Sequence, residues 1–275
     1  MPTTGQLALL ILSIALFALG GLVSLARTRG DRPALRLIAK QCLYWGLIAS
    51  VAVVIWHSAQ RASWLPVDDN FDALVWLGIL LTLFVLYIQM TRPIFGIDFF
   101  LMPVVILLLA AAAVFGRYHL HPYVSTTWAW VHRASALLGA VGFAIAGAVG
   151  AMYLITNARL RRKTASPGVM FGSLERLEHF TRVSVTLGFS TFTIGLVTGL
   201  VEVLHRGGNT ALGAHWFLAP KVLLALCVWI VYALVLHVPM NPSFRGRRAA
   251  LLSIVGFVLM IGEVIAIQFT APGGH

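Results

Sequence analysis

Neutral imidazole is a common ligand for metal ions and for haem iron, so the nine histidines of this chain are the first place to look for chemistry. His57, His119, His121, His132, His205, His215 and His275 fall on one set of alternate connections between apolar runs, and His179 and His237 on the other. His132 and His237 are flanked by apolar helix-forming sequence, where an ionisable side chain is costly and more often functional than not. His119, His121 and His205 lie in loops that water can satisfy, and His57, ending an apolar run, needs no partner at an interface. Trp56, Trp64, Trp128, Trp130 and Trp216 recur at the level of the larger histidine set. They suit packing against a flat porphyrin, and equally the aromatic belt of a membrane interface. Glu202, Glu263, Arg133 and Lys221 stand close by and suit pairing with one another or with haem propionates, although Lys221 is equally suited to snorkelling.

The elements that must position these residues are set by composition. The chain has 275 residues, of which 59% are hydrophobic and 11% charged. With a mean hydropathy of +0.89, too little polar surface remains to coat a water-soluble globule. Apolar runs of spanning length occur at about Leu7 to Leu25, Leu37 to Trp56, Phe71 to Met90, Phe99 to Phe115, Thr126 to Ile155, Phe180 to Leu204, Trp216 to Val238 and Ala249 to Phe269. They predict an all-α polytopic integral membrane protein of about eight transmembrane helices, forming one helical domain over residues 1–275. Met1 to Gly5 carry no basic residue, so the first run reads as a retained helix and not a cleaved signal.

A formal charge of +11 would suit nucleic acid on a soluble domain, but here the basic residues gather in short connections between apolar runs. Arg27, Arg29, Arg32, Arg36, Lys40, Arg92, Arg159, Arg161, Arg162, Lys163, Arg176, Arg182, Arg245, Arg247 and Arg248 fall on one side, against Arg61, Arg117 and Arg206 on the other. The asymmetry predicts a cell (inner) membrane protein with both termini on the non-cytoplasmic side, in contact with lipid and not with nucleic acid. In the long basic connection, Leu174, Leu177 and Phe180 at helical spacing predict an amphipathic turn on the inner surface. The fifth run exceeds the bilayer thickness. Its Gly139, Gly142, Gly147 and Gly150 predict close helix packing.

Cys42 and Cys227 lie within apolar runs, far apart in sequence, so neither a disulfide framework nor a zinc site is read from them. The chain contains no Cys-x-x-Cys-His motif and is not itself a c-type cytochrome. No Ser, Cys or carboxylate constellation with a base at usable spacing is found, and no phosphate loop, so an enzyme acting alone is not expected.

Leu-Gly-Phe-Ser-Thr-Phe-Thr-Ile-Gly-Leu-Val-Thr-Gly at Leu187 to Gly199 and Ala-Pro-Lys at Ala219 to Lys221 resemble the cytochrome c assembly family. Trp229, Tyr232, His237 and the run from Gly246 to Phe257 continue the likeness, as do Asn70 to Leu74 in the first half. The resemblance is ordered over a family-like core at 125–275. Length and helix number are most similar to the HemX-like branch of a family that includes CcsA, ResC and YpjD-like proteins. The resemblance implies haem b as cofactor, with His132 and His275 as outer ligands to its iron and His237 as an inner ligand. His57, Trp216 and Lys221 complete the candidate cofactor-binding set.

The same likeness exposes a departure. Haem-handling members carry a Trp-rich tract ending Trp-x-Trp-Asp-Pro-Lys, whereas this chain has His-Trp-Phe-Leu-Ala-Pro-Lys from His215 to Lys221. Trp216, Pro220 and Lys221 are kept, but Ala219 stands where Asp is expected. The resemblance therefore implies a haem-interacting accessory protein of cytochrome c biogenesis or haem handling, and not the synthase. Its implied partners are cytochrome c maturation proteins or an apocytochrome. The alternative is a scaffold or regulator of a biogenesis complex that binds no haem and holds a partner through Arg159 to Lys163. A b-type electron-transfer cytochrome would need two histidine pairs on facing helices, and the sequence supplies one at most.

Overall fold

The computed structural model describes residues 3–27, 32–61, 69–91, 94, 96–115, 127–162, 172–205, 216–237 and 246–270. These form α1 (Thr4–Arg27), α2 (Pro33–Arg61), α3 (Asn70–Thr91), α4 (Ile97–Phe115), α5 (Thr127–Arg161), α6 (Leu174–His205), α7 (Pro220–His237) and α8 (Arg247–Thr270). A single 3₁₀ turn, Trp216–Leu218, precedes α7. The chain is a polytopic membrane protein: seven of these helices are long and apolar enough to cross a bilayer, and the apolar part of α7, Val222–His237, is shorter. Outer and inner below denote the helix ends assigned by the basic-residue asymmetry.

Local sequence explains where the helices begin. Gln6 N–H donates to Thr3 Oγ1 at 3.4 Å and Thr3 N–H to Gln6 Oε1 at 2.9 Å, a reciprocal cap at the start of α1. Asp69 caps α3 by accepting Asp72 N–H on Oδ1 at 2.7 Å. Pro220 opens α7, where its missing N–H costs nothing. Gly246, at φ 69°, precedes α8, and an added Cβ there would sit 2.5 Å from the Tyr153 hydroxyl.

One expectation is corrected. Leu174, Leu177 and Phe180 do not form a separate surface turn; they are the first turns of α6, which continues unbroken to His205. The apolar spacing runs straight into the spanning segment, and Leu177 is fully buried.

The chain divides into two compact units. The first comprises Met1–His121 with Ile155–Leu174, and the second Pro122–Leu154 with Glu175–His275. In the first, α1 packs on α2 and α4, and α3 on α2 and α4. Gly46 lets the ring of Phe17 lie where a Cβ would be only 2.6 Å away. Polar pairs mark both ends: Gln6 Nε2 donates to Gln60 Oε1 at 2.8 Å, while Arg27 pairs with the buried Asp98 at 3.6 Å and Gln89 Nε2 donates to it at 3.3 Å.

The second unit is held by close backbone approach, as the small residues of α5 predict. A Cβ at Gly142 would meet Gly188 Cα at 2.6 Å and Ser184 O at 2.9 Å, and one at Gly150 would meet Ala250 O at 2.9 Å. Phe143 stacks on Tyr232 with ring centroids 3.6 Å apart. The fully buried Tyr232 donates its hydroxyl hydrogen toward Ser253 O at 3.2 Å and Phe143 O at 3.4 Å.

Candidate functional site

His132 lies in the second turn of α5, at the outer end of the second unit, and is partly buried. Its Nδ1 is 2.7 Å from the carbonyl oxygen of Gly195 on α6. A carbonyl only accepts, so Nδ1 carries the proton of the neutral ring and the lone pair resides on Nε2. This is how proteins orient metal-binding imidazoles, with the second ring nitrogen tied to a carbonyl or carboxylate. Beneath the ring, Ser135 turns its hydroxyl back onto Val131 O and onto His132 O at 3.1 Å, spending its donor within α5.

His237 ends α7 at the inner side of the same unit, and its Nδ1 is 2.8 Å from Ala233 O. The ring is exposed at the foot of a stripe formed by Leu223, Leu226, Ile230 and Leu234, all exposed leucine or isoleucine positions of a lipid-facing surface. From His132 along α5 to Phe143, and from the stacked Tyr232 along α7 to His237, the helices rise about 24 Å in all. The two imidazoles therefore belong to separate sites. A cavity of about 40 Å³ near the inner end is lined by Tyr153, Glu178, Arg182, Val235 and Leu236 among others, room for water and not for a porphyrin.

His57 belongs to the first unit and is arranged differently. It is buried near the outer end of α2, with Nε2 2.9 Å from Asp69 Oδ2, and its ring leans on Phe71 at 4.8 Å. Donor atoms of His57, Asp69 and the fully buried Asp72 lie within 4.8 Å of one another. Because Asp69 also caps α3, this cluster ties the end of α2 to the start of α3. Sequence reading selected His57 and met Asp72 only in the family likeness, but passed over Asp69, although Asp-Asp-Asn before an apolar run is a helix-start signature that could have flagged it.

The remaining candidates are less defined. His275 lies outside the described residues, as do the side chains of Trp216 and Lys221, whose backbones fall in the 3₁₀ turn and at the start of α7. Gly195 and Gly199, quoted above for resemblance alone, turn out to line the His132 ring: a Cβ at Gly199 would be 2.7 Å from Nδ1 and 2.8 Å from Cε1.

Residues 44–266 match the family model described as Cytochrome C assembly protein. The chain belongs to the cytochrome c assembly protein family. Among curated relatives, the cytochrome c biogenesis protein CcsA of Synechococcus sp. (strain CC9605) is 34% identical over 107 residues, which are 39% of this chain and 34% of that protein. The CcsA of Mesostigma viride is 24% identical over 257 residues, 83% of this chain and 81% of the relative. Against the first of these curated relatives the match spans about a third of the relative's length. No solved structure matches the chain. Membership of this family supports a role in cytochrome c biogenesis.

Proposed function

We propose that this member of the assembly family is an accessory haem-interacting protein of the HemX-like kind, which holds haem b at its outer end during cytochrome c maturation. The observation that carries the reading is the His132 imidazole, fixed by Gly195 O in the tautomer that puts its lone pair on Nε2. In this reading His132 and His275 would hold the haem iron, Trp216 would pack on the macrocycle and Lys221 would pair with a propionate. Haem bound there would supply a porphyrin whose vinyl groups can be attached to an apocytochrome; the chain's own part is to bind and orient it. His237, prepared the same way at the inner end, is a separate ligand position that serves haem arriving from the cytoplasmic side. His57, paired through Nε2 with Asp69 in the first unit, is assigned no ligand role at this outer site. Ala219 and the shortened Trp tract support an accessory role over that of a synthase.

The test is direct. The chain purified in detergent is expected to carry haem or to take it up with a Soret shift, and His132→Ala is expected to weaken binding at least tenfold. An unchanged Soret band and affinity in the variant would remove His132 as a ligand. The shortened Trp tract also favours a second reading, a scaffold that binds no haem and acts through Arg159, Arg161 and Arg162. That reading predicts a haem-free protein whose support of cytochrome c maturation is lost only when those arginines are replaced.

A further inference from the structure

We propose that Gly195 and Gly199 are positioning residues for the outer site: together they open a notch on α6 that seats the His132 ring and decides which nitrogen it presents. The proposal rests on the reading of His132 as a haem ligand, but its geometric core stands without haem. Glycine is the poorest ordinary helix former after proline, so two of them four residues apart on one helix face call for a gain made elsewhere.

The gain is visible at each position. Any side chain at 199 would begin 2.7 Å from His132 Nδ1 and 2.8 Å from Cε1, well inside van der Waals contact, and would expel the ring. A Cβ at 195 would come within 3.2 Å of Ala136 N and of Ser135 Oγ, pressing α5 away and stretching the 2.7 Å bond from Nδ1 to Gly195 O. Thr198, between them, folds its hydroxyl back onto Ile194 O at 2.7 Å and onto Gly195 O at 3.1 Å. Gly195 O thus gathers side-chain donors from both helices.

Gly199 also differs in kind from the packing glycines deeper in the unit. Gly142 and Gly150 are pressed by the backbone of neighbouring helices, and Gly139 by Phe192, whereas the nearest atoms to Gly199 all belong to the imidazole. A glycine whose only role was to let α5 approach α6 would face backbone or apolar atoms, as those do. At 199 the space is the shape of the ring. Tilt and tautomer of a ligand imidazole control the field at its iron, so the notch sets the electronic character of the site as well as its affinity.

The experiment uses Gly199→Ala, His132→Ala, the double variant, and Gly262→Ala as control, since nothing lies within 4 Å of a Cβ at Gly262. In the haem-free protein, Gly199→Ala is expected to lower the thermal midpoint, and the loss is expected to disappear once His132→Ala removes the ring. Additive losses would overturn the proposal. In the haem-loaded protein, Gly199→Ala is expected to weaken binding at least tenfold and to shift the ferric absorbance and EPR signature, with Gly262→Ala matching the parent in both. Where His132→Ala weakens binding, parent-like affinity and spectrum in Gly199→Ala would equally overturn it. If Gly199→Ala does not fold, recovery of folding in the double variant supports the notch and failure of both refutes it. Should His132→Ala bind haem like the parent, the ligand reading falls, while the haem-free cycle still decides whether the glycines seat the ring.

Discussion

In the first unit a histidine is buried against a carboxylate, and in the second two histidines each give Nδ1–H to a helix carbonyl. The carboxylate partner of His57 joins the end of α2 to the cap of α3. A carbonyl partner only accepts, so in the neutral ring it fixes the proton on Nδ1 and the lone pair on Nε2. The framework follows the same division. Polar pairs at both ends staple the helices of the first unit, His57–Asp69 outside and Arg27–Asp98 inside, whereas the second relies on glycine-mediated contact and the Phe143–Tyr232 stack. The contrast teaches that residue type alone does not set which nitrogen an imidazole presents: the partner of its other nitrogen does.

The largest effect that would sharpen this contrast is expected from Asp69→Ala. It removes the carboxylate that both bonds the buried His57 and caps α3, at about 2–4 kcal/mol of stability. Equilibrium unfolding in mixed micelles would read the loss, and the haem spectrum of the surviving folded fraction is expected to be unchanged. A changed spectrum would break the division between the units. Gly142→Ala comes next, because its Cβ would meet backbone that cannot step aside; overpacking of this kind costs about 1–3 kcal/mol by the same measurement. Tyr232→Phe is expected to cost least, about 0.5–1.5 kcal/mol, since it removes the hydroxyl bonds to Ser253 O and Phe143 O but keeps the ring stack. A cost above that range would mean that the hydroxyl, and not the stack, holds α7 in place.

Much of the fold was legible because bilayer thickness dictates run length: each apolar run found in the sequence corresponds to a helix, with ends extended by caps such as Thr3 and Asp69. The small residues of α5 announced its close packing, since lipid offers no hydrophobic drive to bring helices together. The first turns of α6 were misplaced, because an amphipathic spacing before a spanning run reads the same whether the helix breaks or continues. At the candidate site, His132 was legible from its cost within a helix. Its acceptor was not, because a backbone carbonyl has no letter in the sequence and helix register sets which one is reached. The pairing of His57 with Asp69 was hidden for a similar reason: the two are separated by a connection whose course no periodicity reports.

Helix α5 has 35 residues and so measures about 52 Å from Thr127 to Arg161. Leaned over by as much as 40°, it still stands about 40 Å tall against a hydrocarbon layer of about 30 Å, leaving roughly 10 Å outside the oil. The imidazole of His132 thus rides near the end of a helix longer than its membrane is thick. A change of membrane thickness is met by how far that helix leans, and so by how deep the histidine lies.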